Sequence, residues 1–200
     1  MEIKPLKKGE LTRQMIVAKA APIFNQRGYA GCSLNDILEA TGLEKGGLYR
    51  HFASKEELAL EAFRYALANA AKLRTENLEH VKGTAEQLRY IVRRFIEVRS
   101  AIPGGCPLMN TAIDADDGNP ELRRAVRSAI LDWRKRLCKI VEDGIRNGEI
   151  ETKTEPRQVA NSLIAALEGA LMISRIEGNS SALEDIGKTL DALLDQIQIH

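Results

Sequence analysis

Apolar residues along this chain recur every three or four positions, and polar or glycine-containing breaks cut the pattern into helix-sized segments. No stretch alternates with the two-residue period of a strand, so the pattern predicts an all-α fold of nine helices. The first helix spans about residues 11–27, with Ile16, Ala20, Ile23 and Phe24 on one face and Gly28 as its stop. Ser33 and Asp36 open a short second helix ending near Ala40, with Asp in place of the longer Glu of a capping box. Thr41-Gly42-Leu43 turns the chain into a third short helix that reaches about Phe52. Ser54 and Glu57 form a fuller box and start a fourth helix running to about Glu79, a rod of roughly 39 Å.

Thr84 and Gln87 cap a fifth helix whose Leu88, Ile91, Val92 and Phe95 share a face. After the break Ile102-Pro-Gly-Gly-Cys-Pro107, a short sixth helix runs to about Asp116. Gly118-Asn-Pro120 opens the seventh, which reaches about Arg146 with the stripe Val126, Ile130, Trp133, Leu137 and Ile140. Thr154 and Pro156 start the eighth, and Gly178-Asn-Ser-Ser181 separates it from the ninth, capped by Ser181 and Glu184.

Composition agrees with a soluble helical protein: 44% hydrophobic, 28% charged and only 4% aromatic, with Ala and Leu abundant. No apolar run approaches the roughly 20 residues of a membrane span, and the first ten residues lack a signal-peptide core. The expected location is the cytoplasm, with no membrane partner. Cys32, Cys106 and Cys138 show no CxxC spacing, and His51, His80 and His200 have no zinc-like arrangement, so neither a disulfide framework nor a metal or other cofactor is expected. Net charge is +1, but nine basic and five acidic residues up to Lys55 give that end +4 and leave the rest at −3. A basic end on an acidic body suits phosphate binding.

Two short helices joined by a glycine turn have the form of a helix-turn-helix, here at about residues 32–51. Gly46 and Gly47 narrow the start of the second helix so that its backbone can approach DNA, and Lys45, Tyr49, Arg50, His51 and Lys55 supply donors for phosphates and base edges. Leu34, Ile37, Leu43, Leu48 and Phe52 form the small core; Tyr49 fits either that core or a phosphate contact.

Thr12-Arg13, Ile16, Phe24, Gly28-Tyr29, Ser33, Asp36-Ile37, Ala40, Gly42, Gly46, Leu48-Tyr49, His51-Phe52 and Ser54-Lys-Glu56 together resemble the TetR family of bacterial transcriptional regulators. The resemblance implies a DNA-binding head at residues 9–69 and a ligand-binding and dimerisation body at 70–200. It places Lys45, Tyr49, His51 and Lys55 at phosphates, Arg50, Gly46 and Gly47 at base edges, and Thr12, Arg13 and Ser33 among the remaining contacts. Two positions depart from the family pattern: Glu44 where Ser often caps the recognition helix, and Gly47 where Thr is common. Glutamate caps poorly and repels phosphate.

The resemblance further implies a homodimer joined by helices eight and nine on double-stranded operator DNA. Leu183, Ile186, Leu190, Leu193 and Ile197 form one stripe, and Leu163, Ala166, Leu167 and Ala170 another; each stripe fits either a partner or its own monomer. A small-molecule effector among helices four to seven would then retilt helix four and release the operator. Phe95, Cys106, Met109, Trp133 and Met172 are candidates for its pocket or for ordinary core. Cys106, beside Pro107 at a helix start between glycines, reads either as a buried junction residue or as an accessible thiol sensor. Asp114 and Asp117 share a helix face and admit a divalent-metal enzyme, but no second carboxylate cluster accompanies them and a solvated helix end fits better. No nucleophile elbow, phosphate loop or dinucleotide motif is present, so no enzyme is expected. A helical adaptor, the other alternative, leaves the basic head and paired glycines unexplained.

Overall fold

Helices take up most of residues 7–115 and 118–199, the part of the chain that the computed structural model describes; Asp116 and Asp117 lie outside it. They are α1 (Lys8–Gly31), α2 (Leu34–Thr41), α3 (Lys45–Tyr49), α4 (Lys55–Thr75), α5 (Thr84–Glu97), α6 (Pro107–Ala115), α7 (Pro120–Arg146), α8 (Pro156–Glu177) and α9 (Ser181–Ile197). An isolated antiparallel bridge joins Ile150 to Gln198. The chain divides into two compact units, Met1–Ala70 with Ala101–Val126 and Ala71–Ser100 with Arg127–His200. Both α4 and α7 contribute residues to each.

In the first unit, Ile16, Ala20, Ile37, Leu48, Phe52 and Leu58 bury one core shared by α1 to α4. Gly28, at φ 73°, breaks the regular path of α1, as a helix stop should. The Ser33 hydroxyl accepts the Asp36 N–H at 3.1 Å while the Asp36 carboxylate takes the Ser33 N–H at 2.7 Å, so the short Asp completes the box. Helix α3 is only five residues long and ends before Phe52; the N–H groups of His51 and Phe52 close its last turn on the Leu48 carbonyl. The Asn119 side chain caps α7 by accepting the Glu121 and Leu122 N–H groups at 3.1 Å each.

The second unit is built around Leu88, Phe95, Leu137, Val141, Leu163, Leu167, Leu190 and Leu194. Helix α4 stops at Thr75, short of the expected Glu79, and α5 supplies donors to carbonyls in and just past its last turn. The Arg94 guanidinium donates to the Leu73 carbonyl, Tyr90 Oη donates to that of Glu76 at 2.7 Å, and Asn77 then turns left-handed at φ 62°. Thr84 is not the cap expected of it. Its N–H and hydroxyl both donate to the Glu149 carboxylate, at 2.5 and 2.8 Å, while Gln87 reaches back to the Val81 carbonyl at 3.1 Å. A Cβ on Gly144 would stand 2.5 Å from the Thr84 hydroxyl, so the chain must pass there without a side chain. Ser180, rather than Ser181, occupies the cap position of α9, and the Asn179 side-chain oxygen Oδ1 accepts the Ser181 N–H at 2.9 Å.

The stripes of α8 and α9 are in large part used within the chain itself. Leu163, Leu167, Ala170, Leu183 and Leu190 are buried within the single chain, with Ala166, Ile186, Leu193 and Ile197 half-buried against the same core. The two helices pack on each other and on α5, so the buried members of both stripes are used inside the chain, while Ala166, Ile186, Leu193 and Ile197 keep part of their surface exposed. Helix α8 presents a different set outward, Met172, Ile173 and Ile176, the last 78% exposed. Apolar on both sides, it is long and apolar enough to satisfy the composition test for a membrane span.

Glu149 provides a test of this unit. The Thr84 N–H and then its hydroxyl hold the carboxyl below the usual glutamate range. A carboxylate favoured by folding stabilises at neutral pH, and that contribution fades as pH falls through its ordinary range. Glu149→Gln is expected to cost about 1 kcal/mol at pH 7, with the deficit shrinking towards pH 3. Urea midpoints at several pH values read it; a deficit independent of pH removes the charged contact from the account.

Candidate nucleic-acid interface

Burying Leu48 orients the rest of α3. Lys45, Gly46, Tyr49 and Arg50, spaced one helical turn apart in pairs, stand exposed on the opposite side, with Gly47 and His51 half-buried at its flanks. Tyr49 is 43% exposed, which excludes the reading that placed it in the core. Two cations and a phenol on a helix this narrow fit the edge of a groove lined with phosphates and bases. Glu44 at the N-cap makes no side-chain capping bond.

Neither glycine of this helix is required by the chain's own fold. Gly46 and Gly47 have no left-handed backbone. A Cβ on Gly46 would meet nothing within 4 Å, and one on Gly47 only the Leu43 side chain at 3.8 Å. Glycine inside a helix is about 0.5–1 kcal/mol worse than alanine, so the pair costs stability that the isolated chain does not recover. The bare surface they leave is available to something outside the chain.

Several other residues expected at DNA are occupied internally. Arg13 donates to Glu57 at 2.6 Å and to Glu61 at 2.5 Å, with its guanidinium 4.1 Å from the centre of the Phe52 ring. That bond from Arg13 is also the main reason the Glu57 carboxyl lies below its usual range. Arg13 is therefore a brace between α1 and α4. Lys55 Nζ donates to the Tyr29 carbonyl at 2.6 Å and sits 4.2 Å from that ring's centre, so its charge is directed inward. Tyr29 lies in the last turn of α1, where carbonyls lack intrahelical donors, and Lys55 supplies one. Ser33 is committed to its cap, and the Thr12 hydroxyl donates back to the Lys8 carbonyl at 3.0 Å.

The residues that hold this face in place were largely unseen in the sequence. Asn110 of α6 donates to the Asn25 carbonyl at 3.0 Å, and Asn25 donates to the Pro103 carbonyl at 2.8 Å. Asp114, expected at a solvated helix end, instead accepts the Tyr29 N–H at 2.5 Å. Arg27 pairs with Asp36 at 2.6 Å. The legible hints were Gly28 and the Gly104-Gly105 pair, since a carboxylate or amide needs bare backbone to approach.

The five pocket candidates are divided between the two units. Phe95 and Trp133 stack with ring centres 6.1 Å apart, and the Arg74 guanidinium lies 3.8 Å from the centre of Phe95. Cys106 and Met109 belong to the other unit, and Met172 is exposed. Cys106 is 1% exposed, so the sulfur is enclosed at the helix junction and the accessible-thiol reading fails. Burial also raises the thiols of Cys32 and Cys138.

Comparison with known proteins bears on the whole chain. Residues 16–62 match the family model described as bacterial regulatory proteins, tetR family, and residues 84–190 match the tetracyclin repressor-like C-terminal domain. A TetR transcriptional regulator from Chloroflexus aurantiacus is 41% identical, with a TM-score of 0.92 and coverage of 98% of this chain and 100% of its own. A TetR-family regulator from Cytophaga hutchinsonii is 36% identical with the same TM-score and coverage. The HTH-type transcriptional repressor DhaR of a Mycobacterium species is 27% identical over 86% of both chains.

Substituting Gly47→Ala or Gly46→Ala is expected to raise stability by about 0.5–1 kcal/mol each. Denaturant midpoints report this directly. A loss of stability at either position would reveal a packing demand inside the chain and undo the argument that the bare surface faces outward.

Proposed function

The chain belongs to the TetR family of bacterial transcriptional regulators, and from that membership we propose that it represses by binding a palindromic operator as a homodimer and lets go when a small molecule binds. It is a helix-turn-helix transcriptional regulator; its relatives are regulators and not enzymes. The observation that supports the specific reading is the α3 face, where Lys45, Tyr49 and Arg50 stand exposed around two glycines that the fold does not need. In this reading Arg50 and the glycines meet base edges and Lys45, Tyr49 and His51 meet phosphates in the cytoplasm. Arg13 and Lys55 act by bracing the head.

One five-residue helix reads too few bases to specify an operator, so two copies must act together, with recognition helices about 34–36 Å apart. The partner surface is the outer face of α8, where Met172, Ile173 and Ile176 lie exposed. Three large apolar side chains on one helix end favour an isologous contact with a second copy. The effector site is proposed beside the half-buried Trp133, whose ring stacks on the buried Phe95 of the core.

Selecting bound sequences from a random duplex pool tests the central reading: a palindromic consensus is expected, and failure to enrich any sequence overturns it. On the selected duplex, Arg50→Ala should lose about 1–3 kcal/mol of discrimination against random DNA. Lys45→Ala should weaken both nearly equally and lower the salt slope by about one. Ile173→Glu combined with Ile176→Glu should yield folded monomers by sedimentation, since each charge would meet its own copy across a two-fold axis. A persistent dimer would move the interface elsewhere.

A further inference from the structure

The C-terminal end of α1 is fastened on two sides. On one side is α6. Gly28 turns the backbone out of helical geometry, leaving the Tyr29 N–H without a helical acceptor, and the Asp114 carboxylate takes it at 2.5 Å. A Cβ on Gly28 would stand 2.7 Å from Asp114 Oδ1, so the bare position is shaped to the carboxylate as well as to the turn. One helical turn earlier, Asn110 donates to the carbonyls of Asn25 and Gly104, at 3.0 and 2.8 Å. Gly104, at φ 112°, approaches so closely that a Cβ would lie 2.8 Å from the Asn25 carbonyl oxygen.

On the other side are both flanks of the DNA-reading helices. Arg27 pairs with Asp36, the capping residue of α2. The Tyr29 carbonyl accepts from Lys55 Nζ at 2.6 Å, and the Tyr29 hydroxyl donates to Glu56, so the first turn of α4, just past α3, is held by the same residue whose N–H meets Asp114. Burial and then that bond to Glu56 push the phenol up to about 12, which keeps it a donor throughout the physiological range.

We infer that Asp114 is a positioning residue that couples α6 to the helix-turn-helix through Tyr29. Directional polar contacts transmit position more strictly than apolar packing, because a small shift leaves a donor without its acceptor. A displacement of α6 therefore has two outcomes: it carries residues 25–29 with it, or it breaks the Tyr29 bond and loosens the clasp on Lys55 and Glu56. Either outcome makes the order of α3 depend on the position of α6, and by linkage a duplex bound at α3 must tighten α6 in return. The inference rests on the proposed reading for its biological meaning, since it names the link by which that head is regulated.

The test compares amide exchange in the full chain without DNA for wild type, Asp114→Ala, Asp114→Asn and Tyr29→Phe. Asp114→Ala is expected to speed exchange at the Leu48 and Phe52 amides about tenfold, the scale of one lost charge-assisted bond. The amides of the Leu88–Phe95 segment should be unaffected. Asp114→Asn retains an acceptor oxygen and should lie between wild type and Asp114→Ala, which keeps the test open if the alanine variant does not fold. Tyr29→Phe keeps the N–H and carbonyl links and should loosen α3 least. Unchanged exchange at Leu48 and Phe52 in both Asp114 variants overturns the inference and leaves Asp114 an anchor for α6 alone. Because exchange is read without DNA, this outcome is distinct from failure of the wild type to select an operator.

Discussion

Five residues, two of them glycine and with no side-chain cap, fall far short of the length at which a helix holds itself together in water. The existence of α3 is therefore a tertiary fact: Leu48 and Phe52 are buried in the core of the first unit, and their burial provides what propensity withholds. Much else in that unit follows from this constraint. The core must be rigid to hold so weak an element, and Arg13 contributes by binding both Glu57 and Glu61 while covering Phe52. Charge that appears available to a nucleic acid is used to keep the reading helix in place.

That division of labour explains which parts of the protein were legible in its sequence. Local chemistry was readable: Ser33 with Asp36, Pro107, Pro120 and the glycine after α8 act within a few residues of themselves and mark helix ends where expected. Features requiring a partner far along the chain were not. Thr84 has the spacing of a cap, yet Glu149, sixty-five positions away, claims both its donors. Helix α4 ends early where Arg94 and Tyr90 meet the Leu73 and Glu76 carbonyls, contacts that no pattern within α4 encodes.

The site shows the same limit in a different form. Residue type and spacing picked out side chains that do stand exposed on one face of α3, namely Lys45, Tyr49 and Arg50. They did not give direction, so Lys55 and Arg13 were counted with the outward charges although both turn inward. An a/d stripe specifies that a helix packs, not on which neighbour; α8 and α9 satisfy each other's stripes, and α8 keeps a second apolar face besides. Asp114 reads as a surface carboxylate because its acceptor role depends on the Tyr29 N–H, eighty-five residues earlier.

The outward face of α8 has a consequence for how the protein behaves when scarce. Ile176, Met172 and Ile173 keep water-exposed hydrocarbon on a helix whose other side is already committed to the interior. Were a second copy to cover it, as proposed above, association would add to the stability of the fold, and measured stability would depend on protein concentration. A cell holding few copies would sit low on that curve. The abundance of the regulator would then set its own lifetime as well as the occupancy of its target, with sparse chains more exposed to unfolding and turnover than plentiful ones.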